Sequence, residues 1–236
     1  ATDSFRQPGS ALTPFSVYLP ALEYGKTLGD VYDDVPMTVD GNFWPANYYD
    51  SFKGLMTLRK SMEASSNVIP AKILQELGKD KAMDVLKKFD VINEDNKDYF
   101  ISHADNKNKN DENLESLALG NMQVGLRLSD LSKMYQTIAN QGIYKEETGI
   151  LKIEDPSGNI IIDNSNKNKR LFDEKSSYLL RDVFIRNAKN GNAKGAKINS
   201  SETGAYLGQN KTKSDYFVNA FNESHTVSFW LGADTP

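Results

Sequence analysis

One group in this chain whose type and place could do chemistry is a serine hydroxyl. Ser10 lies in the stretch Arg6-Gln7-Pro8-Gly9-Ser10-Ala11-Leu12-Thr13-Pro14-Phe15, just ahead of a helical pattern. A serine hydroxyl is a poor nucleophile at neutral pH and needs an adjacent base to take its proton. Three residues on, one helical turn away and on the same face, stands Thr13, whose own hydroxyl stays protonated at any physiological pH. Two further clusters carry polar groups at structural breaks: Ser65-Ser66-Asn67, and Glu202-Thr203-Gly204. The two histidines, His103 and His225, are far apart with no ligand-spaced neighbour, and there is no cysteine. A metal centre, a thiolate site and a disulfide framework are therefore not expected, and no cofactor motif is found.

The elements that must position these groups can be read from periodicity. Pro14 sits in the first turn after the serine, where a missing N–H is tolerated. Phe15, Val17, Tyr18, Ala21 and Leu22 continue a buried helix of about two to three turns that ends at Gly25. Residues 29–54, with Trp44-Pro45-Ala46-Asn47-Tyr48, read as a long ordered loop pinned by aromatics. The apolar spacing from Thr57 to Leu77, stopped by Gly78, predicts two helices broken at Ser65-Ser66-Asn67. A short amphipathic helix follows over Lys79 to Phe89. The Asn/Lys-rich tract 93–113 reads as a mobile polar insertion without a packed core. Leu128 to Ala139 reads as an amphipathic helix begun by Ser129 or Asp130, and Asp173 to Ala188 as another helix. Ile150–Ile153 with Asn159–Asp163, and Asp215–Phe221 with Thr226–Leu231, form two predicted hairpins.

Composition sets the bounds. The 236 residues can bury one substantial core, taken as a single domain over 1–236. Net charge is −4, and acidic and basic residues are interspersed, so no basic face is offered to nucleic acid. No apolar run approaches the roughly 18–20 residues that span a bilayer. The start, Ala-Thr-Asp-Ser-Phe, enters a motif almost at once, so the chain is expected to be a fragment of a longer protein.

The clusters in this order resemble the active-site motifs of penicillin-binding transpeptidases, Ser-x-x-Lys, Ser-x-Asn and Lys-Thr-Gly. Asp34-Val-Pro36, Trp44-Pro45-Ala46-Asn47-Tyr48, Gly54-Leu-Met-Thr-Leu-Arg59, Leu128-Ser-Asp-Leu131 and Phe229-Trp-Leu-Gly-Ala-Asp234 extend the resemblance to the bifunctional (class A) members, from Phe5 to Asp234. The resemblance implies an α+β, serine-β-lactamase-like fold, with a helical lobe over about 30–200 and three strands from residues 197–232. The family's further strands and closing helix are not found within the chain, so either they belong to parts outside it or the sheet is built differently.

The same resemblance assigns roles. Ser10 is the nucleophile position, and Thr13 occupies that of the base lysine. Ser65 is the proton relay, and Asn67 holds the substrate backbone. Glu202, Thr203 and Gly204 fall on the strand that pairs with the peptide and meets its carboxylate. The nucleophile's N–H and one from that strand would form the anion hole. Both lysines are then lost. A missing general base costs about 10²–10⁴ in rate. Glu202 would set like charges together, worth roughly 4 kcal/mol at about 4 Å for an effective dielectric near 20. Lys60, Lys72 and Lys211 have ordinary surface roles and no motif spacing.

The expectation is a degenerate, inactive transpeptidase-like domain, a pseudoenzyme acting at the cell wall as a binding, scaffolding or regulatory module. It would be extracytoplasmic, held at the membrane only through parts outside this chain, and its Asn/Lys richness suggests a Gram-positive source. Its partner would be a peptidoglycan stem peptide or another cell-wall protein, with β-lactam binding weak or absent. Two alternatives stand beside it. One is an active D,D-transpeptidase or carboxypeptidase that uses Ser10 with another base. The other is a peptide- or protein-interaction module using the old cleft.

Overall fold

The computed structural model describes residues 4–93, 99–165, 167–196 and 202–233. The serine segment begins with a 3₁₀ turn, Gly9–Ala11, passes through a π-helical stretch, Pro14–Tyr18, and ends as α1 (Leu19–Glu23). Pro14 and Pro20 each withhold an N–H from the ladder. Between them the bonding widens, with the Leu19 N–H donating to the Pro14 carbonyl. The segment is buried from Ala11 to Leu22 and runs through the core.

Residues 29–54 are more regular than the loop expected. They hold β1 (Val31–Asp34), β2 (Thr38–Val39) and β3 (Asn42–Phe43), and β4 (Gly54–Thr57) follows. β2 and β3 form a hairpin around Asp40-Gly41, both at positive φ, the turn chemistry that two-residue hairpin loops demand. β1 pairs antiparallel with β4.

The two predicted helices are α2 (Leu58–Glu63) and α3 (Val68–Leu77), with Ser65, at φ 53°, in the break between them. α4 (Lys79–Lys88) follows. In the Asn/Lys-rich tract, residues 94–98 lie outside the described residues. The rest is not without anchors. Tyr99 and Phe100 are buried, and the buried Asp111 carboxylate accepts the N–H groups of Ile101 (2.9 Å) and Gln123 (2.8 Å).

α5 (Leu114–Leu119) leads to α6 (Leu128–Ala139). α6 has the expected span, but it is capped by Arg127 rather than begun by Ser129 or Asp130. Arg127 is its extended N-cap, and Asp130 sits in the first turn, accepting the Arg127 backbone N–H and the guanidinium Nε and Nη2. β5 (Ile143–Lys145) and β8 (Asn168–Arg170) pair around the expected hairpin, β6 (Lys152–Glu154) with β7 (Ile160–Asp163). α7 (Glu174–Asn190) is capped by Asp173, whose carboxylate accepts the Lys175 N–H.

The chain closes on β9 (Gly204–Gln209), β10 (Asp215–Phe221) and β11 (Thr226–Gly232), an antiparallel sheet in the order β11-β10-β9. One aromatic run links helices to sheet. Phe172 meets Phe89, Phe89 meets Phe15, Phe15 meets Tyr135, Tyr135 meets Phe184, and Phe184 meets Tyr206 and Phe221, with centroids 4.9–6.2 Å apart. The architecture is α+β, as the resemblance implied. Among the described residues no helix is long and apolar enough to cross a membrane.

Candidate active-site cleft

Two close approaches bring Ser10 against the terminal sheet. Gly9, at φ 52°, abuts the Gln209 carbonyl, and Gly208 presses on Ala11, where a Cβ would lie 2.5 Å from the backbone N. With no side chain between them, the serine turn and β9 come within hydrogen-bond reach. The Gln209 N–H donates to Ser10 Oγ at 3.2 Å.

A cleft of about 490 Å³ opens there. Ser10 and β9 residues Leu207 to Gln209 form one side, and Ser65 and Asn192 another. Tyr48 and Tyr49 come from the loop ahead of β4, and Tyr216 comes from β10. Asn192 donates to Ser65 Oγ at 2.8 Å, and Tyr48 reaches over to the Asn210 carbonyl at 3.3 Å. Burial raises the phenol pKa of both Tyr48 and Tyr49, so both rings stay neutral at physiological pH.

The Ser65–Asn67 break is held by a latch built on Asp34, whose side chain is fully buried. Its carboxylate accepts hydrogen bonds from Tyr49 Oη (2.7 Å), Asn47 Nδ2 (2.8 Å), the Lys53 N–H (3.0 Å) and Ser66 Oγ (3.2 Å). Burial works against its ionisation, but these bonds outweigh it and hold its pKa below the usual carboxylate range. Asn47 Oδ1 in turn accepts the Asn67 N–H at 2.8 Å, and Asn67 Nδ2 donates to the Ala46 carbonyl at 2.8 Å. The Asp34 and Trp44–Tyr48 stretches of the sequence are thus the clamp on the Ser65 loop.

Of the residues singled out in the sequence, Ser10 and Ser65 share the cleft. Thr13 is buried behind it, its hydroxyl spent on the Ala118 carbonyl at 3.0 Å, and Asn67 is committed to the Ala46 carbonyl and the Asn47 side chain. The expected strand register does not hold. Glu202, Thr203 and Gly204 lie outside the cleft. Glu202 pairs with Arg181 at 2.9 Å, Thr203 is buried, and Gly204 stands opposite Phe221. The segment at Ser10 lies four residues further on, at Tyr206-Leu207-Gly208 with Gln209. The charge reversal expected from Glu202 therefore does not reach the cleft.

Tyr206 is buried, and burial raises its pKa. It lies among Tyr18, bonded to Ser61 Oγ at 3.0 Å, and Tyr135, which donates to the Ala11 carbonyl at 3.0 Å. Among the described residues lining the cleft none is charged. Lys60 pairs with Glu63, Lys72 donates to the Asp33 carbonyl, and Lys211 pairs with Glu115. No group of three or more metal-ligating side chains gathers among the described residues.

Sequence reasoning passed over Tyr49, Asn192 and the 206–209 segment. The letters Thr-Gly occur at 203–204, whereas 206–208 keep only the glycine. The one available signal was that second glycine, where a strand can cross a helical turn closely.

Comparison with known proteins agrees with this fold. The family model for the penicillin-binding protein transpeptidase domain matches residues 1–212. Penicillin-binding protein 4 of Bacillus subtilis is 24% identical over 100% of this chain and 36% of its own length. Penicillin-binding protein 1A of Rickettsia typhi is 29% identical over 100% of the chain and 31% of its own. The chain thus spans about a third of the length of these curated relatives. Among solved structures, penicillin-binding protein 1A from Haemophilus influenzae superposes with a TM-score of 0.79 at 22% identity, covering 100% of this chain and 39% of that one. PonA1 from Mycobacterium tuberculosis, in a complex with penicillin V, reaches 0.82 at 19% identity, over 98% and 61%. At such identities these structures establish the fold alone. With the family model covering most of its length, the chain belongs to the penicillin-binding protein transpeptidase domain family.

Proposed function

We propose that this chain is a catalytically degenerate transpeptidase domain that serves peptidoglycan synthesis as a binding or scaffolding module. It would work outside the cytoplasm, in a longer protein that carries the membrane anchor. The observation that carries the reading is the surroundings of Ser10. Its hydroxyl accepts the Gln209 N–H, and no described residue lining the cleft can take its proton near neutral pH. Thr13 is spent on a backbone carbonyl, and the phenol of Tyr206 is held neutral by burial. A nucleophile without a base forfeits about 10²–10⁴ in rate, and more where the two act as one unit.

The deciding experiment is exposure to a fluorescent penicillin, followed by gel imaging and intact-mass analysis. The expected outcome is an unmodified chain after hours at high reagent. A stoichiometric adduct, absent from Ser10→Ala, would overturn the reading.

A second reading, a working D,D-transpeptidase, draws support from one feature. The Gln209 N–H is directed at Ser10 Oγ, a backbone donor beside the nucleophile position of the kind an anion hole uses. Turnover of a D-Ala-D-Ala peptide that is abolished by Ser10→Ala would favour it.

A further inference from the structure

We propose that the cleft takes an extended peptide segment that carries no free carboxylate, laid along the open edge of β9. This rests on reading the site as one that binds without reacting, and it names what is bound.

The edge is defined by the strand's own alternation. In an antiparallel ladder a residue turns both its N–H and its C=O either toward its partner strand or away, with a period of two. The Asn210 N–H donates to the Asp215 carbonyl, so the even-numbered residues face β10. Gln209, Leu207 and Ala205 therefore face away. Two of the three confirm it: the Gln209 N–H meets Ser10 Oγ, and the Ala205 carbonyl accepts Asn187 Nδ2 at 3.2 Å. Leu207 between them sends its N–H and C=O to the cleft side, and no described residue bonds to either. That pair of groups is what an added strand requires.

The choice of an uncharged segment follows from the lining. Hydroxyls, carboxamides and phenol rings surround the edge, without a cation among the described lining residues; the Lys53 ammonium lies over the Tyr49 ring, 4.3 Å from its centroid, outside that lining. A carboxylate brought into such a cleft gives up water and finds no counter-charge in the described lining, a loss that neutral hydrogen bonds do not restore. A peptide bond, or a C-terminal carboxamide, is satisfied by the groups already there. The apolar walls at Leu207, Tyr216 and Val218 suit small uncharged side chains. A glycan would also meet the rings, but it would leave the Leu207 N–H and C=O without the regular partners that a peptide backbone supplies.

The test uses two N-acetylated, otherwise uncharged peptides ending in D-Ala-D-Ala, one as the free acid and one as the amide. Each is titrated into ¹⁵N-labelled chain. The amide is expected to bind at least about tenfold more tightly and to shift the Leu207 and Gln209 amide signals. Leu207→Pro should weaken its binding at least about tenfold with the circular dichroism spectrum unchanged, because proline is tolerated where the N–H faces away from the ladder. Leu207→Lys should move the preference toward the acid. Equal or tighter binding of the acid, binding of neither peptide, or amide binding insensitive to Leu207→Pro would overturn the inference. Penicillin labelling separates the two claims. A Ser10 adduct beside a preference for the amide removes the inactive reading and leaves this one, whereas no adduct beside a preference for the acid does the reverse.

Discussion

At the scale of single residues, Asp34 sets the shape of the cleft without entering it. It holds Asn47, Tyr49 and Ser66 at once, and Asn47 passes the constraint to Asn67. Removing one partner from a buried, charge-assisted network leaves several donors unsatisfied. Asp34→Ala is therefore expected to lower stability by about 2–4 kcal/mol in urea unfolding. Its pH dependence has a definite sign. The carboxyl titrates lower in the folded chain than in the unfolded one, where its value is near 3.9. The stabilisation is present above that value and is lost as pH falls through the folded one. A pH series of urea midpoints below pH 4 should show the wild type losing this advantage over Asp34→Ala.

At the scale of elements, the decisive contact is between the serine turn and β9. A side chain at 208 would have to displace Ala11 or the strand. Gly208→Val is expected to cost about 1–3 kcal/mol, the usual range for overpacking. It should also release the Gln209 amide, visible as faster hydrogen exchange at that N–H. Most elements were legible beforehand. The 3.6 spacing of α3 and α6, the break at Ser65-Ser66-Asn67 and the two hairpins each follow from neighbours in sequence. The β2–β3 hairpin was legible too, in Asp40-Gly41, but the aromatic richness of that stretch hid it. The register of β9 against Ser10 was not legible. Two Thr-Gly letters at 203–204 matched a motif, while the contact depends on which glycine lies under Ala11, about 200 residues away in sequence.

At the scale of the whole molecule, the aromatic run from Phe172 to Phe221 passes through helices and sheet alike, within one continuous hydrophobic core. One core predicts one cooperative transition. Both tryptophans pack against it, Trp44 in the stretch that clamps the Ser65 loop and Trp230 on β11, where its N–H donates to Asp215 at 2.8 Å. In Trp44→Phe, the fluorescence of Trp230 and far-ultraviolet circular dichroism should report the same urea midpoint. Separate midpoints would show that the sheet and helices unfold independently.

What the sequence determined by itself was the family, the α+β class and a threonine, not a lysine, three residues after Ser10. Each is carried by residue identity or by spacing within a single element. Only the tertiary structure decided that Thr13 is turned to the Ala118 carbonyl and that Glu202 lies beside Arg181. It alone placed Leu207 and Gln209 at the cleft and left its described lining uncharged. Those facts depend on how β9 slides against the serine turn, and that is set by the close approach of Gly9 and Gly208, which no local pattern encodes.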